Sequence, residues 1–194
     1  MIMPTFIRWL TACSMVAISM AAHAVEIHGI NVPETAKVSD PTATLVLNGA
    51  GVRTKLFIKV YVGALYLGEK KSSAEAVLAD GGTHRMALHI LHAMSAEKLG
   101  GALDDGMAAN NSAAELAVLE AELKQFRSLI ATGGAVKEGD TIQLDYLPAS
   151  GSHVIWNGKS LGTIAGEKFN RALMKVWLGE HPVDGSLKKA LLGG

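Results

Sequence analysis

The sequence predicts an α+β domain in which a mostly antiparallel sheet is backed by helices on one face. Three observations carry this. Residues 42–67 are rich in β-branched and apolar side chains and are punctuated by glycine. Leu116, Leu119, Leu123, Phe126 and Ile130 step by 3, 4, 3 and 4, which is the period of one helix face. Asn157-Gly158 stands between two short apolar runs, the strongest short-range hairpin signal.

Taken in order, Val25 to Pro41 is a polar lead-in with two prolines and reads as a short strand plus loop. Thr42 to Leu67 reads as two strands joined near Thr54-Lys55. Ser72 to Leu78 allows one or two helical turns, Gly81-Gly82 ends that connector, and His84 to Leu91 reads as a further strand. The period then changes. Leu99, Leu103 and Met107 share a helix face, and Ser95 is placed to cap its start. Glycines 100, 101 and 106 each cost about 1 kcal/mol against alanine inside a helix, so this helix depends on packing. Ser112 to Glu115 is a capping-box pattern that opens a second helix, expected to run unbroken to Gly133-Gly134. Ile142 to Tyr146, His153 to Trp156 and Lys159 to Ile164 read as strands. A helix over about Gly166 to Leu178 turns Phe169, Leu173, Val176 and Trp177 inward, and a short one over Ser186 to Leu192 follows.

The first 24 residues have the pattern of a secretory leader. Arg8 gives the positive start, Leu10 to Ala22 the apolar stretch, and Ala22-His23-Ala24 the small-residue cleavage site. The apolar stretch is shorter than the ~18–20 residues of a membrane span. Leu10-Thr11-Ala12-Cys13 resembles a lipoprotein cleavage box, but too few residues separate it from Arg8. Cleavage after Ala24 would leave residues 25–194 as one domain, exported to the periplasm or beyond, with no stable membrane span and no cysteine, since Cys13 is the only one. The whole chain carries 18 Lys plus Arg against 18 Asp plus Glu. It has no basic field to draw nucleic acid, so that class of partner is set aside. Nothing in the sequence names a protein partner or calls for a cofactor.

Leu45 to Leu67, LVLNGAGVRTKLFIKVYVGALYL, is the most informative stretch. Glycines 49 and 51 let the backbone bend or approach another element closely. Arg53 sits in this apolar run, and an arginine is always charged and costly to bury alone. It therefore either points to solvent or holds an anion. NGAGVR, FIKVYVGALYL and the closing GEKFNRALMKVWLG together resemble the chalcone isomerase-like family in its bacterial secreted branch. The resemblance runs over most of the chain after about residue 40. It implies an open-faced β-sandwich, with long strands backed by helices and a pocket between the layers.

In the plant enzymes of that family, an arginine in a G-x-R motif holds the flavonoid oxyanion and a threonine in K-F-T assists it. Arg53 matches the arginine, whereas Lys59-Val60-Tyr61 replaces the threonine by tyrosine. The fatty-acid-binding members carry an arginine and a tyrosine at these places, gripping a carboxylate. The resemblance thus implies Arg53 and Tyr61 as ligand-binding residues for a fatty acid or similar small amphipathic anion, with an acyl tail near Phe57, Val62 and Leu65. On one straight strand the pair would lie about 26 Å apart at ~3.3 Å per residue, so it can meet only if the chain reverses between them.

The enzymes also carry a tyrosine and an asparagine at the start of their first long helix. Here the matching segment offers Ser95 and then Ala102, which cannot hydrogen-bond through its side chain. A polar residue opening the last long helix falls near Asn170. Ser95 and Asn170 are thus secondary candidates, no catalytic residue is assigned, and isomerase chemistry has few of its polar groups. His89 and His92 fall on opposite faces of a strand, so no metal site is expected. Met86, Met94, Met107 and Met174 read as core first, with a pliant pocket wall as the alternative. The expectation is an exported, non-catalytic binding protein. Its alternatives are an intramolecular lyase or isomerase for a chalcone-like conjugated substrate, and an envelope interaction protein without a ligand.

Overall fold

The computed structural model describes residues 24–39 and 42–194. The expected leader lies outside these residues except for Ala24, the first residue of β1. The lead-in is more ordered than one strand and a loop. It forms β1 (Ala24–Ile27) and β2 (Ile30–Pro33), paired as a separate hairpin, and then β3 (Thr35–Ser39). Proline is tolerated here because Pro33 closes a strand at its end.

β3 begins a seven-stranded antiparallel meander with β4 (Thr42–Lys55), β5 (Ile58–Leu67), β6 (His84–Ile90), β7 (Thr141–Leu147), β8 (Gly151–Trp156) and β9 (Lys159–Ile164). Each strand pairs with its neighbour in sequence, through short turns except at β5–β6 and β6–β7, where helices make the connection. α1 (Ala74–Ala79) joins β5 to β6, while α2 (Ala96–Asn110), α3 (Ala113–Ala117) and α4 (Glu120–Gly133) join β6 to β7. α5 (Glu167–Leu178) and α6 (Gly185–Leu191) follow the sheet.

The helix expected to be continuous from Ser112 is two. Ser112 and Glu115 do form the capping box, but the chain breaks at Val118-Leu119 and restarts as α4. Val118 is exposed, whereas Leu119, Leu123, Phe126 and Ile130 are buried. The 3-4 spacing therefore marks a buried stripe that survives the break in hydrogen bonding.

One sheet face packs against α2, α4 and α5, where Leu103, Met107, Phe126, Phe169 and Trp177 form the main core. The Phe126 and Phe169 rings meet edge to face at 5.5 Å. The other face carries a smaller core of Val38, Leu45, Val62, Ala64 and Tyr66, covered by Val32 and Ile30 of the small hairpin. Arg85 and Asp145 pair on that face across β6 and β7, with both hydrogen bonds at 2.5 Å. The architecture is thus an α+β open-faced sandwich with helices on one side of an antiparallel sheet.

Candidate functional site

The site grows from the β4–β5 hairpin, whose two-residue turn is Leu56-Phe57, one pair later than the expected Thr54-Lys55. Lys55 pairs with Ile58 and Thr54 with Lys59, yet Arg53 pairs with Tyr61. Val60 is therefore an extra residue, a β-bulge that shifts the register by one. Without it Tyr61 would point to the face opposite Arg53, because side chains alternate along a strand. With it, Val60 and Tyr61 both join the helix-side core. A second bulge frees Asn48 from the ladder. Its Nδ2 donates to the Leu191 carbonyl at 2.7 Å and the Lys71 carbonyl at 2.9 Å, and its Oδ1 accepts from the Lys71 N–H at 2.7 Å.

The glycines of the NGAG stretch explain how α6 reaches this hairpin. A Cβ on Gly49 would lie 2.1 Å from the Ala190 carbonyl oxygen, and one on Gly51 2.6 Å from the Ala190 Cβ. Only bare backbone lets the helix sit so low on β4. That seating brings Asp184, the N-cap of α6, to the hairpin. Its Oδ2 accepts from the Thr54 N–H at 2.9 Å, and its Oδ1 accepts from the N–H groups of Ser186 and Leu187. Burial opposes its ionisation, but the three backbone donors and the Arg53 charge outweigh this and hold its carboxyl below the usual range.

Arg53 is only 9% exposed. Its guanidinium carbon stands 5.6 Å from the centre of the Tyr61 ring, a cation–π approach. Its Nε is buried with no hydrogen-bond partner, and among the described residues no carboxylate forms an ion pair with it. The Tyr61 hydroxyl accepts from Trp177 Nε1 at 2.8 Å, which leaves its own proton free to be donated. Burial, only partly offset by Arg53 and Trp177, pushes the Tyr61 phenol up to about 12, so it stays protonated at neutral pH.

Beside Arg53, between the hairpin and α2, lies a cavity of about 500 Å³. Its wall includes Ile58, Val60, Met94 and Ala102, with Lys98 and Asp105 of α2 at its edge. That volume lies within the range of small-molecule sites. Tyr61 is not on this wall; it lies behind Arg53. Two other hollows, of about 400 and 610 Å³, lie among the helices. In the first, Glu115, Glu167, Arg171 and Lys175 neutralise one another in pairs. Among the described residues Arg53 is the buried cation that borders a hollow; Lys168 and Lys188, which line the other two without an ion pair, are more exposed.

The secondary candidates lie elsewhere. Ser95 caps α2, its Oγ accepting from the Lys98 N–H at 3.2 Å. Asn170 is buried on α5 and donates to Ser152 Oγ at 3.2 Å, beside a hollow of about 10 Å³ shared with His84. That hollow is too small for a ligand. The residues expected to meet an acyl tail separate as well: Phe57 is wholly exposed, Val62 belongs to the outer core, and Leu65 to the helix-side core. Of the methionines, Met94 reaches the cavity while Met86, Met107 and Met174 are core. Val60, Lys98 and Trp177 went unrecognised as contributors. Only Lys98 carried a signal, three residues after a cap on the helix that faces the hairpin. Among the described residues no group of three potential metal ligands comes together, and no helix is long and apolar enough to cross a membrane.

The fold and this geometry can be set beside known proteins. No curated protein matches the chain. Among solved structures, the Arabidopsis thaliana fatty-acid-binding protein superposes with a TM-score of 0.65 at 17% identity, covering 88% of this chain and 96% of that one. At that identity the likeness is one of fold. The family model described as chalcone isomerase-like matches residues 24–193, nearly every residue described here, and the chain belongs to the chalcone isomerase-like family.

Proposed function

We propose that this protein is an exported, non-catalytic binding protein for an amphipathic anion, with a fatty acid as the leading candidate. One observation carries the reading: Arg53, nine-tenths buried and with an unpartnered Nε, borders a cavity of about 500 Å³. A carboxylate accepts two parallel N–H bonds from such a fork, and an apolar tail suits walls such as Ile58, Val60 and Met94. In this reading Tyr61 holds the guanidinium in place from behind, as a neutral ring that brings no competing charge. The fatty-acid-binding title of the Arabidopsis protein of like fold favours the same ligand class. Ala102 on the cavity wall favours binding over ring closure, because its methyl group can neither donate nor accept a proton. Export rests on the leader pattern of residues 1–24.

Native mass spectrometry of gently purified protein tests this reading. The expected result is co-purifying acyl chains in the wild type and their loss in Arg53→Ala. Bound lipid undiminished by Arg53→Ala would remove the site assignment. Turnover of a chalcone in an absorbance assay, abolished by the same substitution, would transfer the site to the isomerase reading.

A further inference from the structure

Among the described residues, three hairpins close through two-residue turns with almost the same backbone. The first turn residue has φ 49° at His28, 48° at Leu56 and 48° at Asn157; the second has 77° at Gly29, 69° at Phe57 and 78° at Gly158. Such turns want Asn, Asp or Gly, since both positions are left-handed. Two of the three have glycine at the second position. The β4–β5 turn instead holds two bulky apolar residues where each is strained, and neither is repaid by burial. Leu56 is 82% exposed, Phe57 100%, and Ile58, which follows, 47%. Folding gains nothing from this arrangement. Strain held in place at an exposed position is a pointer to function.

The tip also projects. β5 pairs with β6 only from Tyr61 to Leu67, and β3 pairs with β4 only as far as Val46. The end of the hairpin therefore pairs with no strand on either side; its nearest neighbour there is the β1–β2 turn, where His28 Nδ1 meets Lys59 Nζ at 3.0 Å and leaves that ammonium exposed. Lys55 and Lys59 flank the tip, both exposed, and Lys98 stands exposed at the cavity edge below. Residues 41–68 contain no Asp or Glu. The nearby carboxylates belong to other elements: Asp105 on α2, and Asp184, whose oxygens are already engaged by backbone N–H groups.

We infer that the Leu56-Phe57-Ile58 tip is a wedge that docks the protein peripherally on an anionic lipid surface, with Lys55 and Lys59 meeting the headgroups. A protein partner fits less well. A stable protein interface needs about 800 Å² from each side, which a convex point of three residues does not offer. A bilayer interface needs only an apolar point with a basic collar. Leu56 and Ile58 also border the Arg53 cavity, so docking would set its mouth against the membrane. That last consequence, loading of an amphipathic anion directly from the bilayer, rests on the proposed function; the docking itself does not.

The test is co-flotation of the full mature chain with vesicles of phosphatidylcholine alone or mixed with phosphatidylglycerol. Wild type should bind the mixed vesicles and release them in high salt. Leu56→Asn with Phe57→Gly should weaken binding at least about tenfold. The same double variant should melt at or above the wild-type temperature, because Asn-Gly suits the turn. Lys55→Gln should cost about fivefold. Arg53→Ala should float as wild type does even though it loses ligand, which separates this inference from the proposed function. Undiminished vesicle binding by the double variant overturns the inference. So does a wild type that ignores vesicles, or one whose tip instead mediates concentration-dependent dimers in sedimentation.

Discussion

Replacing Arg53 by methionine separates a ligand-holding cation from a structural one. Methionine keeps much of the unbranched bulk and removes the charge. In the ligand-free protein the buried, unpartnered Nε costs about 1–3 kcal/mol. Against this stands the approach to the Tyr61 ring at 5.6 Å, worth about 0.5–2 kcal/mol. Asp184 keeps its three backbone N–H partners in the variant, so no orphaned carboxylate is created. The net effect on the empty protein lies between about 1 kcal/mol of destabilisation and about 2.5 kcal/mol of stabilisation. For a domain of this length that is a melting temperature lowered by no more than a few degrees, or raised. Affinity moves the other way. Loss of a charge-assisted pair worth about 1.5–3 kcal/mol weakens carboxylate binding about 10- to 150-fold. Thermal unfolding of delipidated protein and calorimetric titration with a long-chain fatty acid give the two numbers. A variant that melts well below wild type while binding fatty acid equally well would show that Arg53 serves the fold, and the reasoning fails.

The Tyr61 phenol titrates near 12 folded and near 10 unfolded, so between these values the folded state holds the extra proton. Stability should therefore fall by about 2–3 kcal/mol as pH rises from about 10 to about 12. Tyr61→Phe should flatten that part of the urea-midpoint profile, and an unchanged slope would contradict the burial argument. Asp184→Ala removes the α6 cap together with the Thr54 contact and should cost about 1–2 kcal/mol. Because the Asp184 carboxyl is held below its ordinary range, its share of stability is present at neutral pH and is lost as pH falls through that lowered value. An acid-unfolding profile unchanged in Asp184→Ala would count against the role of the cap. Gly51→Ala pushes a methyl group against Ala190 and should cost about 1–3 kcal/mol by denaturant unfolding. Wild-type stability would mean that α6 is not seated on bare backbone. Arg85→Ala strands the buried Asp145 and should cost about 3–5 kcal/mol, with recovery in Arg85→Ala/Asp145→Ala; no recovery would exclude the stranded charge as the cause.

What the sequence disclosed, and what it withheld, follows from how local each determinant is. The Asn157-Gly158 turn and the caps at Ser95 and Ser112 rest on neighbouring residues, and each stands where the local chemistry puts it. The buried stripe of α4 was equally plain, yet the break at Val118-Leu119 was not, since a helical period does not record whether the hydrogen bonds are continuous. The meeting of Arg53 with Tyr61 depended on two features without a local signature. A turn at Thr54-Lys55 would have set Arg53 opposite Leu56. The turn lies at Leu56-Phe57 instead, in a conformation that those residue types do not advertise. Even then Arg53 would have faced Val60, and only the bulge brings Tyr61 across. The glycines at 49 and 51 announced a close approach, but not that the approaching element lies at the far end of the chain.

The cavity and the projecting tip have one structural cause. β4 and β5 run on past the ends of β3 and β6, so the outer part of the hairpin leaves the sheet paired only with itself. Where it leaves, Val60 turns its carbonyl to the N–H groups of Leu91 and His92 instead of a ladder partner. α2, starting at Ala96, passes this overhang without filling the space beneath it, partly because Gly101 and Ala102 present almost no side chain there. Shortening the hairpin would erase both features and teach little about either. The informative perturbations are the ones that preserve its length: Arg53→Met, which removes the buried charge from the cavity wall, and Leu56→Asn with Phe57→Gly at the turn, which blunts the tip. If the two features form one loading device, both variants should lose delivery of fatty acid from vesicles, each with the other's function intact. If either variant still takes fatty acid from vesicles at the wild-type rate, the overhang is only a geometric coincidence between a hollow and a wedge.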